Sequence, residues 1–169
     1  MSYFKTGVLL ILLTLVLVWA GGMVGGRQGA AIAFVIAFIS LPTLAEQFQT
    51  IKNVEVHYSA FNSTFLTPQV ARSYQLKRNG YSAILNISVL DNSALGKPAM
   101  EATLKGNAKN LIGQVRELEF KQFKEGNAIY YLAEFPITNE ENLSFDIEVD
   151  AGLKGTGKLK FTQKFYVEE

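Results

Sequence analysis

The chain has 169 residues, 49% of them hydrophobic, with 16 Lys and Arg against 15 Asp and Glu, a single histidine and no cysteine. A net charge of +1 with no basic run excludes the clustered cations that displace counterions from nucleic acid. Without cysteine there are no disulfides, thiolate nucleophiles or Cys-ligated metals, so a domain of this length has to be held together by its core.

Charge is unevenly spread. Between residues 7 and 45 the only charge is Arg27, whereas beyond Glu46 charges recur every few residues. This divides the chain into a hydrophobic leader, residues 1–45, and a water-facing domain, residues 46–169. The run 7–24 reaches the lower length limit of a spanning helix, and so uniform an apolar surface leaves no face for water. Gly25-Gly26-Arg27-Gln28-Gly29 is a turn by composition, and a second apolar run follows at 30–45. Two readings stand. Both runs form a transmembrane hairpin, with the glycines allowing close packing. Alternatively, residues 23–45 are a signal peptide starting at Met23, with Arg27 as its basic region and 29–40 as its apolar region. Small residues at Thr43 and Ala45 then place the cut between Ala45 and Glu46. One positive charge on each side leaves the orientation open.

In the domain, residues 54–58 alternate as a strand. Thr67 followed by Pro68 predicts the N-cap and first position of a short helix over 67–74. Asn79-Gly80 is a turn, 81–90 a long strand and 91–98 a loop. Further strands are expected over 99–107 and 117–124, and the 125–127 turn leads into 129–135. Leu143, Phe145, Ile147 and Val149 face opposite to Ser144, Asp146, Glu148 and Asp150. Leu159, Phe161, Phe165 and Val167 alternate in the same way against Lys158, Lys160, Thr162 and Lys164. Period-2 alternation with one polar face suits antiparallel sheets packed as a sandwich. About seven strands predict a mainly β fold, an immunoglobulin-like antiparallel β-sandwich, preceded by one or two hydrophobic N-terminal helices.

Two resemblances accompany these patterns. Phe4-Lys5-Thr6-Gly7, the glycine-rich 21–29 segment and Ile32-Ala33-Phe34 resemble the N-terminal membrane hairpin of the HtpX-type zinc metalloproteases over residues 1–40. The chain lacks the His-Glu-x-x-His helix that such proteases use to hold zinc, so the resemblance implies no protease activity. From Glu46 onward, the blocks AFNSTFL (60–66), NISVL (86–90), AIYYLAEF (128–135) and QKFYV (163–167) resemble a family of small exported bacterial proteins known only as a domain of unknown function. That resemblance implies a periplasmic β-sandwich and no catalytic residues.

Candidate sites are few. His57 lacks the second ligand of a metal motif. Ser59 and Ser63 are near it in sequence, but no Gly-x-Ser-x-Gly elbow is present. The 60–66 stretch, expected as a loop, sets aromatics beside small polar groups. As a binding rim, Phe61 anchors a ligand while Asn62 and Thr64 hydrogen-bond to it, with His57 nearby. As structure, Asn62 and Ser63 satisfy a turn while Phe61 and Phe65 plug the sandwich end. The carboxylates Asp146, Glu148 and Asp150 fit a calcium site, but fit better as cross-strand partners of Lys158 and Lys160 across a hairpin at 152–157. Glu140-Glu141 is expected in a solvated loop, and Tyr74, Tyr81, Tyr130 and Tyr131 in the core and on the sheet surface. No cofactor or metal is expected.

The reading that follows is a non-enzymatic binding or structural module of the cell envelope. It would contact the membrane through its leader and an envelope protein through its domain, with no nucleic-acid partner. The domain is placed in the periplasm, tethered to the inner membrane or soluble after cleavage; a hairpin with a cytoplasmic domain is the alternative. Two other functions remain open: a membrane-protein assembly or quality-control component acting through the hairpin, and an enzyme with a site near His57.

Overall fold

The computed structural model describes residues 47–168. The leader runs, the hairpin resemblance and the Ala45–Glu46 cleavage site lie outside the described residues. Among those described are nine strands: β1 (Gln47–Ile51), β2 (Val54–Asn62), β3 (Ser82–Asp91), β4 (Thr103–Asn110), β5 (Val115–Leu118), β6 (Lys121–Glu125), β7 (Ala128–Pro136), β8 (Glu141–Asp150) and β9 (Thr156–Phe165). They form two antiparallel sheets, ordered β1-β2-β3-β7-β6 and β5-β4-β8-β9. The fold is mainly β and sandwich-like.

Alternation sets which side chains fill the space between the sheets. Val56, Leu85, Ile87 and Val89 from one sheet, and Phe145, Ile147, Val149 and Leu159 from the other, are fully buried. Phe135 meets Phe145 and Phe165 edge-on, with ring centroids 5.4 and 5.5 Å apart, and Phe161 stacks on Phe145 at 4.4 Å. Each such side chain contributes about 1.5–3 kcal/mol on leaving water, and the edge-on contacts add to this. Gly106 belongs to the same packing. A Cβ there would stand 2.5 Å from the Asp146 carbonyl oxygen and 2.7 Å from Ile147 Cδ1, so the β4–β8 contact requires a residue without one.

The β8–β9 register sets Asp146 opposite Lys160 and Glu148 opposite Lys158, the pairing expected from the charge rows. Lys160 Nζ lies 2.9 Å from Asp146, and that contact, ahead of any effect of burial, lowers the Asp146 pKa. Among the described residues no group of three acids or histidines is placed to hold a metal, and no helix is long and apolar enough to cross a membrane.

The short helix α1 (Pro68–Ser73) starts as its sequence requires, with the Thr67 side chain accepting from the Val70 N–H at 3.3 Å and Pro68 in the first turn. It buries Ala71 and leads into Tyr74, whose ring packs edge-on against Phe123 on the outer face of the first sheet. The Tyr74 hydroxyl donates to Glu125 Oε1. Burial first, and then this carboxylate, push the Tyr74 pKa well above the usual phenol range.

Three expectations are corrected. Residues 117–124 do not form one strand: β5 belongs to one sheet and β6 to the other. Leu118 and Phe120 pack toward the core, whereas Phe123, of opposite parity, packs on Tyr74 outside the first sheet. The strand expected at 99–107 begins at Thr103, because 98–100 is taken up by bonds back to β3, from the Asp91 N–H to the Pro98 carbonyl and from the Met100 N–H to the Val89 carbonyl. Ala60, Phe61 and Asn62 lie inside β2, not in a loop.

Candidate functional site

His57 and Glu55 are two residues apart on β2 and project from the same outer face. His57 Nε2 lies 2.6 Å from Glu55 Oε1, and Lys97 Nζ lies 2.7 Å from Glu55 Oε2. Phe48 on β1 stacks on the imidazole at 5.3 Å. The Lys97 ammonium lowers the pKa of the buried Glu55; burial opposes this and His57 assists it. Lys97 arrives from the 91–98 loop, with a left-handed backbone at φ 43°. The cluster thus fastens that loop to the sheet. Ser88, opposite His57 in the register, donates its hydroxyl to the Ile129 carbonyl at 3.1 Å. It is therefore not aligned as a nucleophile for this imidazole.

The other sequence-chosen residues do not converge on His57. Phe61 faces the same way four residues further along β2 and is buried. Asn62 is buried and donates to the Tyr166 carbonyl at 2.6 Å. Ser63 donates to the Asn79 carbonyl and accepts from the Asn79 N–H. Thr64 donates to Glu168 at 2.5 Å, and its carbonyl and that of Leu66 accept from Arg78. Asn62 and Thr64 thereby tie the end of β2 and the turn after it to residues 166–168, while Ser63 closes the 63–79 loop on itself. Phe65, expected to plug the sandwich, is exposed.

Sequence reading missed two features. The first is Glu141, at the start of β8 and almost fully buried. Its oxygens accept from Arg116 Nη1 and Nη2 at 3.0 and 2.7 Å, from Asn110 Nδ2 at 3.0 Å and from the Thr138 N–H at 3.0 Å. Burial alone would raise its pKa; Arg116, Asn110 and Thr138 together outweigh it and hold the carboxyl at about 2. The solvated-loop reading is correct for Glu140, which is exposed and paired with Lys164, and wrong for Glu141. No motif marked the pair, because Arg116 and Glu141 lie 25 residues apart.

The second is an open cleft of about 570 Å³, lined by Glu101, Leu104, Phe120, Gln122, Tyr131 and Asp150 among others. Its size falls in the range of small-molecule sites, although it is shallow and open to solvent. The Tyr131 hydroxyl accepts from the Ala102 N–H at 2.8 Å and from Gln122 Nε2 at 3.0 Å, which leaves its own proton to donate. Glu101 pairs with Lys124, and Asp150 accepts from the Gly152 N–H and the Thr156 hydroxyl. The lining of the cleft is mainly polar, with Phe120 and the largely buried Tyr131 as its aromatic members. Elsewhere, the buried atoms Asn86 Oδ1 and Glu125 Oε2 have no hydrogen-bond partner.

These features define a two-sheet sandwich domain whose buried polar groups serve mainly to tie loops to strands. A family model described as a domain of unknown function (DUF4426) matches residues 48–168. The chain belongs to the DUF4426 family. The crystal structure of a DUF4426 family protein from Pseudomonas aeruginosa PAO1 is similar to it, with a TM-score of 0.65 and 37% identity, over 75% of this chain and 99% of that one. FetP from uropathogenic Escherichia coli strain F11 is similar at a TM-score of 0.49 and 13% identity, over 74% of this chain and 96% of FetP. A copper-bound variant of FetP gives the same score and identity, over 73% and 97%. A search of curated proteins finds no match.

Proposed function

We propose that this is a non-enzymatic binding module of the cell envelope, carried there by its apolar leader and recognising a protein partner through the cleft. The cleft carries the reading. Glu101, Asp150 and the Gln122 carbonyl offer acceptors there, beside Phe120 and the Tyr131 hydroxyl. A donor-rich, basic segment of another envelope protein matches that lining. The strand order supports the immunoglobulin-like class, commonly a recognition scaffold: β2-β3-β7-β6 and β9-β8-β4-β5 follow the A-B-E-D and G-F-C-C′ arrangement. The apolar leader supports a periplasmic location, tethered or released.

The test is cross-linking in the intact envelope, comparing the wild-type protein with Glu101→Lys and Gln122→Ala. The reading expects one partner whose capture falls about tenfold in the double variant. No partner, or capture indifferent to the cleft, would count against it.

The second reading, an enzyme, has one specific observation in its favour: the carboxylate–imidazole pair of Glu55 and His57 at 2.6 Å. Against it, Glu55 is shared with Lys97 and the facing Ser88 hydroxyl is directed to a carbonyl. A phenotype abolished by His57→Ala but unaffected by Glu101→Lys would favour this reading over the binding module.

A further inference from the structure

The two ends of the sandwich differ. At the end where β2 finishes and β3 begins, Phe65 and Tyr81 are 65% and 67% exposed, and Tyr166 follows β9 at 54%. The β4–β5 hairpin turns at the same end and shows Leu111 and Ile112, 82% and 80% exposed. The backbone does not require aliphatics there. Asn110 closes the turn, accepting at its carbonyl from the Gly113 N–H and at Oδ1 from the Gln114 N–H, and Gly113 supplies the left-handed residue at φ 88°. Turn positions ordinarily carry polar or small residues, so Leu111 and Ile112 at the apex have no local structural role. Two exposed aliphatics, Leu95 and Leu153, stand at the opposite end, and among the described residues no exposed aromatic accompanies them.

We propose that this end of the domain docks peripherally on a lipid bilayer, with Leu111 and Ile112 entering the interface and Phe65, Tyr81 and Tyr166 lying at headgroup depth. Aromatic rings with polar tips concentrate at that depth, and short apolar projections beside cations bind anionic surfaces. Lys77, Arg78 and Lys109 are exposed at this end; Lys164 lies 3.1 Å from Glu140 and offsets its charge, and Glu168, bonded to Thr64, is an exposed acid there that the three cations outnumber. Strand polarity argues for lipid rather than a protein. β1 runs from Gln47 opposite Tyr58 to Ile51 opposite Val54, away from the aromatic end. Gln47, the first described residue, thus stands at the end of β1 nearer the aromatic side, and the sequence that precedes it is apolar. The cleft rim at Thr103 and Asp150 lies toward the other end, which leaves it open to a partner. The inference rests on the envelope reading above.

The absence of cysteine allows a direct test. Single variants Ile112→Cys, Phe65→Cys and Leu153→Cys of the full chain, labelled with an environment-sensitive dye, are reconstituted in phosphatidylethanolamine vesicles containing phosphatidylglycerol. Lipid-borne quenchers should act about twofold or more strongly at 112 and 65 than at 153. Adding Leu111→Asp should reduce quenching at 65 without changing the melting temperature, because Leu111 is exposed. Equal, water-like signals at all three positions would overturn the proposal. So would shielding of 112 and 65 without lipid quenching, which would mark a protein contact. If the labels remain in water while the cleft still captures its partner, this inference fails and the binding-module reading survives.

Discussion

Removing the charge of Glu141 is predicted to destabilise the domain in a pH-dependent way. In Glu141→Gln the side chain keeps its shape but loses the anion that meets Arg116 in two hydrogen bonds, and one amide nitrogen then faces donors. The Glu141 side chain is 7% exposed and that of Arg116 17%, so solvent screens the pair weakly. A carboxyl held at about 2 instead of its ordinary 4.5 corresponds to roughly 3 kcal/mol of folding stability at neutral pH. Because the folded-state pKa is depressed, that stability is fully present above the unfolded pKa of 4.5 and is lost as pH falls through about 2. Thermal melts of the Glu46–Glu169 domain should show the variant lower at pH 7 by about 2–3 kcal/mol, roughly 6–12 °C for this size. The gap should shrink to less than about half by pH 3. Equal melting at pH 7, or a gap that stays constant to pH 3, would refute the argument that the ion pair carries this stability.

Other predictions follow from the same geometry. Gly106→Ala forces a Cβ against the Asp146 carbonyl and Ile147, and should lower stability by about 1–3 kcal/mol in urea titration. Glu55→Ala releases Lys97 and His57 together; it should cost about 1–2 kcal/mol and make the 91–98 loop the first site of limited proteolysis. Tyr131→Phe leaves the Ala102 N–H and the Gln122 amide without their shared acceptor. It should cost about 1 kcal/mol and weaken partner capture at the cleft, while leaving lipid quenching at position 112 unchanged.

The sequence made legible whatever a period-2 pattern or a local cap encodes. Asp146 opposite Lys160 could be read from two facing charge rows, and the α1 start from Thr67-Pro68. The β5–β6 change of sheet was not legible, because two short strands separated by two residues that keep the same core-facing parity resemble one longer strand. β1 escaped because Gln47–Ile51 buries only Ile51 and carries little alternation. The site features were least legible. Lys97 lies 42 residues from Glu55, and Ala102 lies 29 from Tyr131. Such pairings depend on how loops return to the sheets, and no local pattern records that. Nothing in the local pattern marks Leu111 and Ile112 as exposed at a hairpin apex.

The central claim, that the domain works in the envelope, is tested most directly by the fate of the protein in cells. Intact mass and N-terminal sequence of the protein from membrane and soluble-envelope fractions, together with protease access from the periplasmic side, would settle it. The account predicts a domain reached by periplasmic protease, either full length in the membrane or soluble and beginning at Glu46. A domain protected until the cytoplasm is opened would contradict it.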